Sequence, residues 1–416
     1  MGTPITATAA RLLAGGAADL EAHRARYGPL PARHDAGQLA ALALAAGLRG
    51  RGGAGFPTGR KIAAVAAGRR RPIVVVNACE SEPASRKDAV LLRYAPHLVL
   101  DGAAIAARAL GARTVVLCLH RGDPAAGWLD RQLAARTGDG LDWRLASLPR
   151  RYVASEASAL THFLNGGDAR PTTRPPRPEQ RGVRGHPTLI DNAETLAQLA
   201  LIVRYGPDWY RTAGTGTDPG TALVTVGGAV ARPGVYEIEL GVPLAAALAA
   251  AGGLTEPIAA TLVGGYAGTW VTDPGLPLSH DPAGPDATTI GAGVLVALPA
   301  RACGLAETSR VVDYLAGQSA GQCGPCTFGL PAVAADLRRL VTGGADPDLH
   351  RRLAHRMALV TGRGACAHPD GAVRLVRSSL RVFAADARTH EAGRRCPPQP
   401  PLLPIPGPNQ QDPTWH

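Results

Sequence analysis

The sequence predicts a multidomain α/β protein: an α/β domain, then a small α+β module, then a C-terminal helical bundle. Three observations predict it. Two apolar runs, PIVVVNA (72–78) and TVVLCL (114–119), flank the amphipathic stretch HLVLDGAAIAARALGA (97–112). Strand, helix and strand in that order read as a βαβ unit around a buried parallel sheet. The stretch LVTVGGAVARPGVYEIELGVPLAAALAAAGG (223–253) holds two short strands punctuated by Gly and Pro, then an Ala-rich helix closed by Gly-Gly. From 303 onward, four segments carry apolar residues at helical intervals.

In chain order, residues 1–45 are expected to form an N-terminal helical segment, 46–215 the α/β domain and 220–300 the α+β module. The texture changes across RYGPDWYRTAGTGTDPGTA (204–222), which is rich in Gly, Thr and Pro. The bundle occupies 303–392, with helices read at 304–318, 331–341, 348–360 and 371–387. Eight of the last twenty residues are proline, so the tail, 393–416, is expected to be disordered or ordered only on contact.

Composition removes several function classes. The formal net charge is +11, but only Lys61 and Lys87 are lysines, and the arginines are scattered along the chain among Ala, Gly and Pro. With aromatics at 4%, there is neither a phosphate-tracking stripe nor a base-stacking platform, so no nucleic-acid partner is expected. No apolar stretch approaches the roughly 20 residues of a membrane span, and the N-terminus lacks a basic head followed by an apolar run. Cytoplasmic residence without direct membrane insertion is expected, with any membrane association peripheral and through a complex. Seven cysteines, an odd number unevenly spread, suit metal or redox use better than a disulfide framework.

The most informative local stretch is GLRGRGGAGFPTGRK (47–61). Gly50, Gly52, Gly53 and Gly55 let the backbone bend tightly and turn its amides toward an anion, and the helix that follows adds a positive N-terminus with Arg60 and Lys61 beside it. Such a loop suits a phosphate.

This loop resembles that of the NADH- and FMN-binding flavoprotein subunit of respiratory complex I and its relatives in NAD-linked hydrogenases and formate dehydrogenases. The similarity continues in the family's order through VVNACESEP (75–83), RYVASEASALTHFLNG (151–166), RPPRP (174–178), GHPTLIDNAETLA (185–197) and GAVARPGVYEIELGVPL (228–244) into the bundle. The resemblance implies a Rossmann-like FMN-binding domain, a β-grasp soluble-ligand-binding (SLBB-like) domain and a helical bundle for an iron–sulfur cluster. It implies that FMN is surrounded by Gly50, Gly52, Lys61, Asn77, Glu80, Ser81, Tyr152, Glu156, Asn192 and Thr195, with Arg51, Gly53, Gly55, Phe56, Glu82, Ile190 and Asp191 also among the cofactor-binding residues. The glycine amides and Lys61 suit the phosphate, while Asn77, Asn192 and Thr195 suit ribityl hydroxyls and flavin edges.

Departures from the family bear on the electron donor. Cys79 stands where the family has Asp, and Ser155-Glu156-Ala157 where it has Gly-Glu-Glu. Of the aromatics that sandwich the adenine of NADH, Phe56 is kept, but the other matching positions hold Ala64 and Arg177. Each lost stacking surface weakens binding by about 1–3 kcal/mol on the scale of bases stacked on aromatics. Arg174 and Arg177 offer compensation by stacking or pairing with a phosphate, so the donor is expected to be NADH or NADPH. Cys79 at a strand end reads as a small buried hydrophobe or as a thiol near the flavin, and Cys118 as core.

In QSAGQCGPCTFGL (318–330) the resemblance places a 4Fe-4S loop whose first ligand position holds Ala320. Cys323, Cys326 and, in GRGACAHPDG, Cys366 match the remaining three, with Gly321, Gly324 and Gly364 letting amides approach the sulfides. For the fourth ligand the order of preference is a non-cysteine or external group, with His368 among the options, then Cys396, then Cys303. A zinc site is the other reading of the three thiols. The chain then reads as an electron-transfer flavoprotein subunit passing electrons from NAD(P)H through FMN to the cluster and on to a ferredoxin-like or other redox subunit. No side chain need act as a catalytic acid or base. The alternative is a divergent binding or assembly subunit that keeps the fold without oxidising NADH.

Overall fold

The computed structural model describes residues 10–14, 16, 18–172, 175–281, 288–343, 346, 348–397 and 399–416. Arg174 lies outside them.

Two short helices, α1 (Leu20–Tyr27) and α2 (Ala36–Ala46), precede the Gly-rich loop, which leads into α3 (Thr58–Ala66). Then come β1 (Ile73–Asn77), α4 (Lys87–Tyr94), α5 (Pro96–Leu110), β2 (Thr114–His120), α6 (Ala126–Ala134), β3 (Asp142–Leu148), α7 (Ala157–Leu164), α8 (Pro178–Arg181), β4 (Thr188–Asn192) and α9 (Ala193–Tyr210). The four strands form one parallel sheet in the order β3-β2-β1-β4. Helix α5 is buried on nearly every side, which an apolar helix inside a core requires. It crosses α9 so closely that a Cβ on Gly102 would lie 1.9 Å from the Leu196 carbonyl oxygen, so only glycine fits there. A buried carboxylate fastens the N-terminal segment to this core, because Asp101 meets His23 Nε2 at 2.8 Å and the guanidiniums of Arg136 (2.6 Å) and Arg204. Burial would raise the Asp101 pKa, and these partners together hold it well below the usual range.

The second unit is a five-stranded mixed sheet, β6-β5-β9-β7-β8, made of β5 (Thr221–Gly228), β6 (Gly234–Glu239), β7 (Ile258–Val263), β8 (Thr269–Val271) and β9 (Val294–Pro299), with α10 (Leu244–Ala250) on one face. Its other face shares a core with the C-terminal helices α11 (Gly304–Gly317), α12 (Leu330–Val341), α13 (Leu349–Val360), α14 (His368–Val382) and α15 (Ala384–Glu391). Trp270 fixes that junction: its backbone N–H donates to Ser378 Oγ (3.0 Å), its indole N–H to Thr308 Oγ1 (2.9 Å), and its ring meets Phe383 edge-on.

One expectation is corrected and one is narrowed. The stretch 371–387, read as one helix, breaks at Phe383, whose φ/ψ of −102°/33° leave the helical region as its ring is drawn in beside Trp270 and Gly304. The Pro-rich tail, expected to be disordered or ordered only on contact, is held by contacts with the rest of the chain. Glu307 accepts the Leu402 and Leu403 amides, the Tyr266 hydroxyl donates to the Pro404 carbonyl at 2.5 Å, and Asp412 accepts the Arg150 amide at 2.6 Å. Trp415 is buried beneath the guanidiniums of Arg151 and Arg170, at 4.9 and 5.2 Å from its ring. Proline lacks the N–H for regular pairing, but a chain anchored every few residues by side-chain acceptors and apolar plugs does not need it.

No single helix among the described residues is long and apolar enough to cross a membrane.

Candidate functional site: the crevice at β1 and β4 and the thiol cluster

Strand order runs from β1 outward through β2 to β3, while β4 joins on the opposite side of β1. The carboxyl ends of β1 and β4 therefore flank a topological switch point, where open parallel sheets bind ligands. Asn77 ends β1, and Asn192 ends β4 and caps α9, its Oδ1 accepting the Glu194 amide at 3.0 Å. The Gly-rich loop folds over this end, and a Cβ on Gly52 would lie 3.7 Å from Asn192 Cβ. Gly53 and Gly55 hold φ of +97° and +61°, conformations that side chains rarely adopt. The small domain closes the other side, with Gly291 backbone 3.8 Å from a Cβ on Gly53 and the His280 carbonyl 3.4 Å from one on Gly55.

The structure gives each expected residue a definite place. Lys61 reaches back across the sheet, donating to the Ile190 carbonyl and to Asp191 Oδ1, both at 2.7 Å. Asp191 is 2% exposed; burial raises its pKa and Lys61 opposes the shift. Arg51 turns inward. Its amide donates to Thr195 Oγ1 (2.9 Å), and its guanidinium to His280 Nδ1 (2.9 Å), the Tyr210 hydroxyl (2.9 Å) and the Thr221 carbonyl (3.1 Å). The guanidinium is a buried strut between the loop and the second domain. Burial and the neighbouring Arg51 hold His280 neutral, its pKa lowered to about 4.

Asn77 Nδ2 donates to the Ser155 carbonyl (2.8 Å), and Ser81 Oγ meets His120 Nε2 (2.9 Å). Glu80 accepts the Ser85 hydroxyl (2.5 Å) and the Asp88 and Ala89 amides. Glu156 caps α7, with Oε2 accepting the Ser158 and Ala159 amides. Glu82 Oε2 accepts the Tyr152 hydroxyl (3.1 Å) and the Tyr266 amide (2.9 Å), while its buried Oε1 has no partner among the described residues. Burial pushes the Glu82 carboxyl up to about 7, the Tyr266 and Tyr152 hydrogen bonds opposing the shift. Phe56 is 42% exposed, and Ala64 and Arg177 are exposed. Cys79 is core: it packs with Cys118, Val75, Val116 and Leu160, and burial raises its thiol well above the ordinary value.

Sequence reasoning missed the charges beneath the crevice. Lys87, 5% exposed, donates to Asp88 Oδ1 (2.8 Å) and Asn192 Oδ1 (3.2 Å) and lies 3.1 Å from Glu194 Oε2. Burial alone would lower its pKa, but Asp88 and Glu194 outweigh burial and hold the ammonium well above its usual range. The available signal was that Lys87 is one of only two lysines. The site fits a phosphorylated ligand on three counts: an amide-rich turn that tolerates no side chains at Gly53 and Gly55, the N-terminus of the long helix α9, and Glu82 Oε1, an acceptor left for a ligand hydroxyl or amine.

The second site lies in the helical region. Cys323 opens a π-helical turn, Pro325–Gly329, and its carbonyl accepts the Cys326 and Thr327 amides at 3.0 and 2.8 Å. Burial pushes the Cys326 thiol up to about 12, reinforced by Cys323 and Cys366, with the Ser319 hydroxyl opposing the shift. Cys326 is buried and the other two thiols are half-buried. Three clustered thiols, one held close to the Cys323 turn, are a donor set that fits an iron–sulfur cluster. Cys303 and Cys396 do not complete it. Cys303 caps the start of α11, whose 14 residues span about 21 Å at 1.5 Å each, and Cys396 sits with it there. His368 donates Nε2–H to the Leu315 carbonyl (2.8 Å), and its buried Nδ1 has no partner among the described residues. Its ring lies 5.5 Å from that of Tyr152, so the two sites are joined through Tyr152, whose hydroxyl is on Glu82 and whose amide donates to Gln318 Oε1 (3.0 Å).

Comparison with known proteins agrees in every region. Residues 44–201 match the family described as Nuo51 FMN-binding domain, 223–265 the SLBB domain, and 306–390 the NADH-ubiquinone oxidoreductase-F iron-sulfur binding region. The chain is 33% identical over 383 residues to the NADH-quinone oxidoreductase F subunit of Streptomyces coelicolor, covering 87% of this chain and 85% of the relative. It is 32% identical over 374 residues to the corresponding protein of Escherichia coli, covering 85% and 83%. Crystal structures of an NAD+-reducing NiFe hydrogenase superpose at TM-scores of 0.83 (air-oxidized) and 0.80 (H2-reduced), with 30% and 31% identity. The matches cover 96% and 88% of this chain, which spans only 70% and 64% of those hydrogenase chains. Across its FMN-binding, SLBB and iron–sulfur regions, the chain belongs to the family of NADH-quinone oxidoreductase F subunits.

Proposed function

We infer that this chain is an electron-transfer flavoprotein subunit that takes electrons from NADH or NADPH at the β1/β4 crevice and passes them through the thiol-bound centre to another redox subunit. The observation that carries this reading is the continuity of the two sites: Tyr152 hydrogen-bonds Glu82 in the crevice and packs on His368, two residues past Cys366. FMN, when bound, supplies the conversion of a hydride into single electrons, and a 4Fe-4S cluster supplies their onward carriage.

The chain's own residues bind and orient. The amides of Gly52, Gly53 and Gly55, with Lys61 and the N-terminus of α9, hold the phosphate, while the Gly50 amide closes the turn on the Phe56 carbonyl at 2.9 Å. Asn77, Glu80, Ser81, Tyr152, Glu156, Asn192 and Thr195 shape the crevice, and Glu82 presents its free oxygen into it. Cys323, Cys326 and Cys366 hold the cluster, and the fourth ligand comes from outside the thiols of this chain. Exposed Phe56 offers one face to the donor's adenine, and Arg177 takes the place of an aromatic face. A ferredoxin-like protein or a redox subunit of a larger complex receives the electrons, and a cytoplasmic setting suits a chain in which no described helix spans a membrane.

The test is anaerobic reconstitution with FMN, iron and sulfide, followed by NADH or NADPH while the visible spectrum is recorded. Bleaching of the flavin without artificial reductant is expected with at least one nucleotide. A flavin that stays oxidised with both overturns the reading.

A further inference from the structure

At the far end of α11 from the cluster loop, three side chains from separate parts of the helical region meet. Cys303 Sγ lies 3.5 Å from His390 Nε2, Cys396 Sγ lies 3.2 Å from the same nitrogen, and the three atoms all fall within 4.8 Å of one another. His390 is 1% exposed, Cys303 is buried and Cys396 is half-buried. The imidazole tautomer follows from its other nitrogen. Nδ1 is 2.9 Å from the Val341 carbonyl, and a carbonyl only accepts, so Nδ1 carries the hydrogen and Nε2 presents its lone pair to both sulfurs. Metal-bound histidines are oriented in this way by a backbone carbonyl behind them. Cys303 also caps α11, its Sγ accepting the Ala306 amide at 3.4 Å.

We propose that Cys303, His390 and Cys396 form a zinc site, separate from the iron–sulfur ligands, that clamps the start of the C-terminal tail to the N-terminus of α11. Two thiols cannot both be satisfied by one imidazole lone pair, whereas a thiophilic divalent cation satisfies all three donors at once. The spacing agrees. With bonds of about 2.3 Å to sulfur and about 2.0–2.1 Å to nitrogen, a tetrahedral zinc holds sulfur and nitrogen about 3.5 Å apart. Binding releases the two thiol protons and leaves an uncharged imidazole with two thiolates on the ion, without any redox change. The fourth position falls to water. The clamp closes the chain between residues 303 and 396, just before the tail runs back over Glu307 and Tyr266 toward the first domain.

The full-length protein, purified without oxygen, is expected to carry one zinc per chain in addition to its iron, measured by elemental analysis. The double variant Cys303→Ser/Cys396→Ser should lose the zinc and keep the iron, which separates this site from zinc held adventitiously by Cys323, Cys326 and Cys366. Cobalt added to wild type depleted of zinc but retaining its iron should give a thiolate-to-cobalt absorption band with the iron content unchanged, and this second measurement decides the matter even where the double variant fails to fold. Zinc content unchanged in a folded double variant overturns the proposal. So does wild type that takes up neither zinc nor cobalt, or a Cys303–Cys396 disulfide found in oxygen-protected protein.

Discussion

Replacing Arg51 by leucine tests whether the Gly-rich loop is held from within. The guanidinium is 2% exposed and has four polar neighbours: His280, Tyr210, the Thr221 carbonyl and, at 3.9 Å, Glu194. Two of these keep other partners in the variant. Thr221 retains the Gln198 amide at 3.0 Å, and Glu194 retains Lys87 and the Leu223 amide. His280 Nδ1 and the Tyr210 hydroxyl lose their contact with Arg51, at about 1–3 kcal/mol for each buried polar group left unpaired. The buried negative charge of Glu194 also loses one of its two cations. The expected loss is about 3–5 kcal/mol, the range for removing one member of a buried pair. Chemical denaturation followed by circular dichroism and tryptophan fluorescence measures it. Arg301→Leu sets the scale, because Arg301 is 57% exposed on Glu256 and water screens such a pair so that it adds little to stability. FMN affinity should fall in parallel, since the Arg51 amide carries the loop onto Thr195. If Arg51→Leu is as stable as Arg301→Leu, the inward strut does not hold the loop.

Three further outcomes follow from the geometry. Asp191→Asn frees the Lys61 ammonium for a phosphate and should tighten FMN binding about tenfold, equivalent to about 1.4 kcal/mol, in a flavin fluorescence titration; unchanged or weaker binding refutes the competition. Glu82 has a folded pKa raised to about 7 from 4.5, so its contribution to stability is present below pH 4.5 and is lost as pH rises through 7. Glu82→Gln removes that slope, and its stability relative to wild type should improve by about 3 kcal/mol between pH 4 and pH 8; parallel denaturation curves across that window contradict it. Cys366→Ser should abolish the cluster's broad absorbance and most of the iron, whereas Cys118→Ser, inside β2, should leave both intact.

The fold was legible where burial is two-sided. Ile73–Asn77 and Thr114–His120 are central strands of a parallel sheet and read as unbroken apolar runs. The edge strand Asp142–Leu148 left no such run, because most of its residues are exposed or half-buried. The tail was legible only in part for a related reason. Proline content reports how poorly a segment pairs with itself, and it carries no information about Glu307 or the Arg151–Arg170 pair, which anchor the tail from elsewhere. Likewise the break at Phe383 is invisible to helical periodicity, since Trp270 creates it from more than a hundred residues away.

The candidate site shows the same division between local and distant causes. Glycine spacing in 50–55 is a local signal, and the turn it marks folds over the carboxyl ends of β1 and β4. The direction of Arg51 is not local, because outward and inward rotamers suit the same loop and the choice is made by His280 and Thr221. The seven cysteines make the point most sharply. Their sequence spacing left Cys303 and Cys396 as possible cluster ligands, but helix α11 acts as a rigid spacer that puts Cys303 and Cys396 at one end and the Cys323–Cys326–Cys366 group at the other, while Cys79 and Cys118 lie in a separate apolar layer. What sorts chemically identical thiols into three environments is the helix length and the His390 lone pair, and neither is visible in a cysteine count.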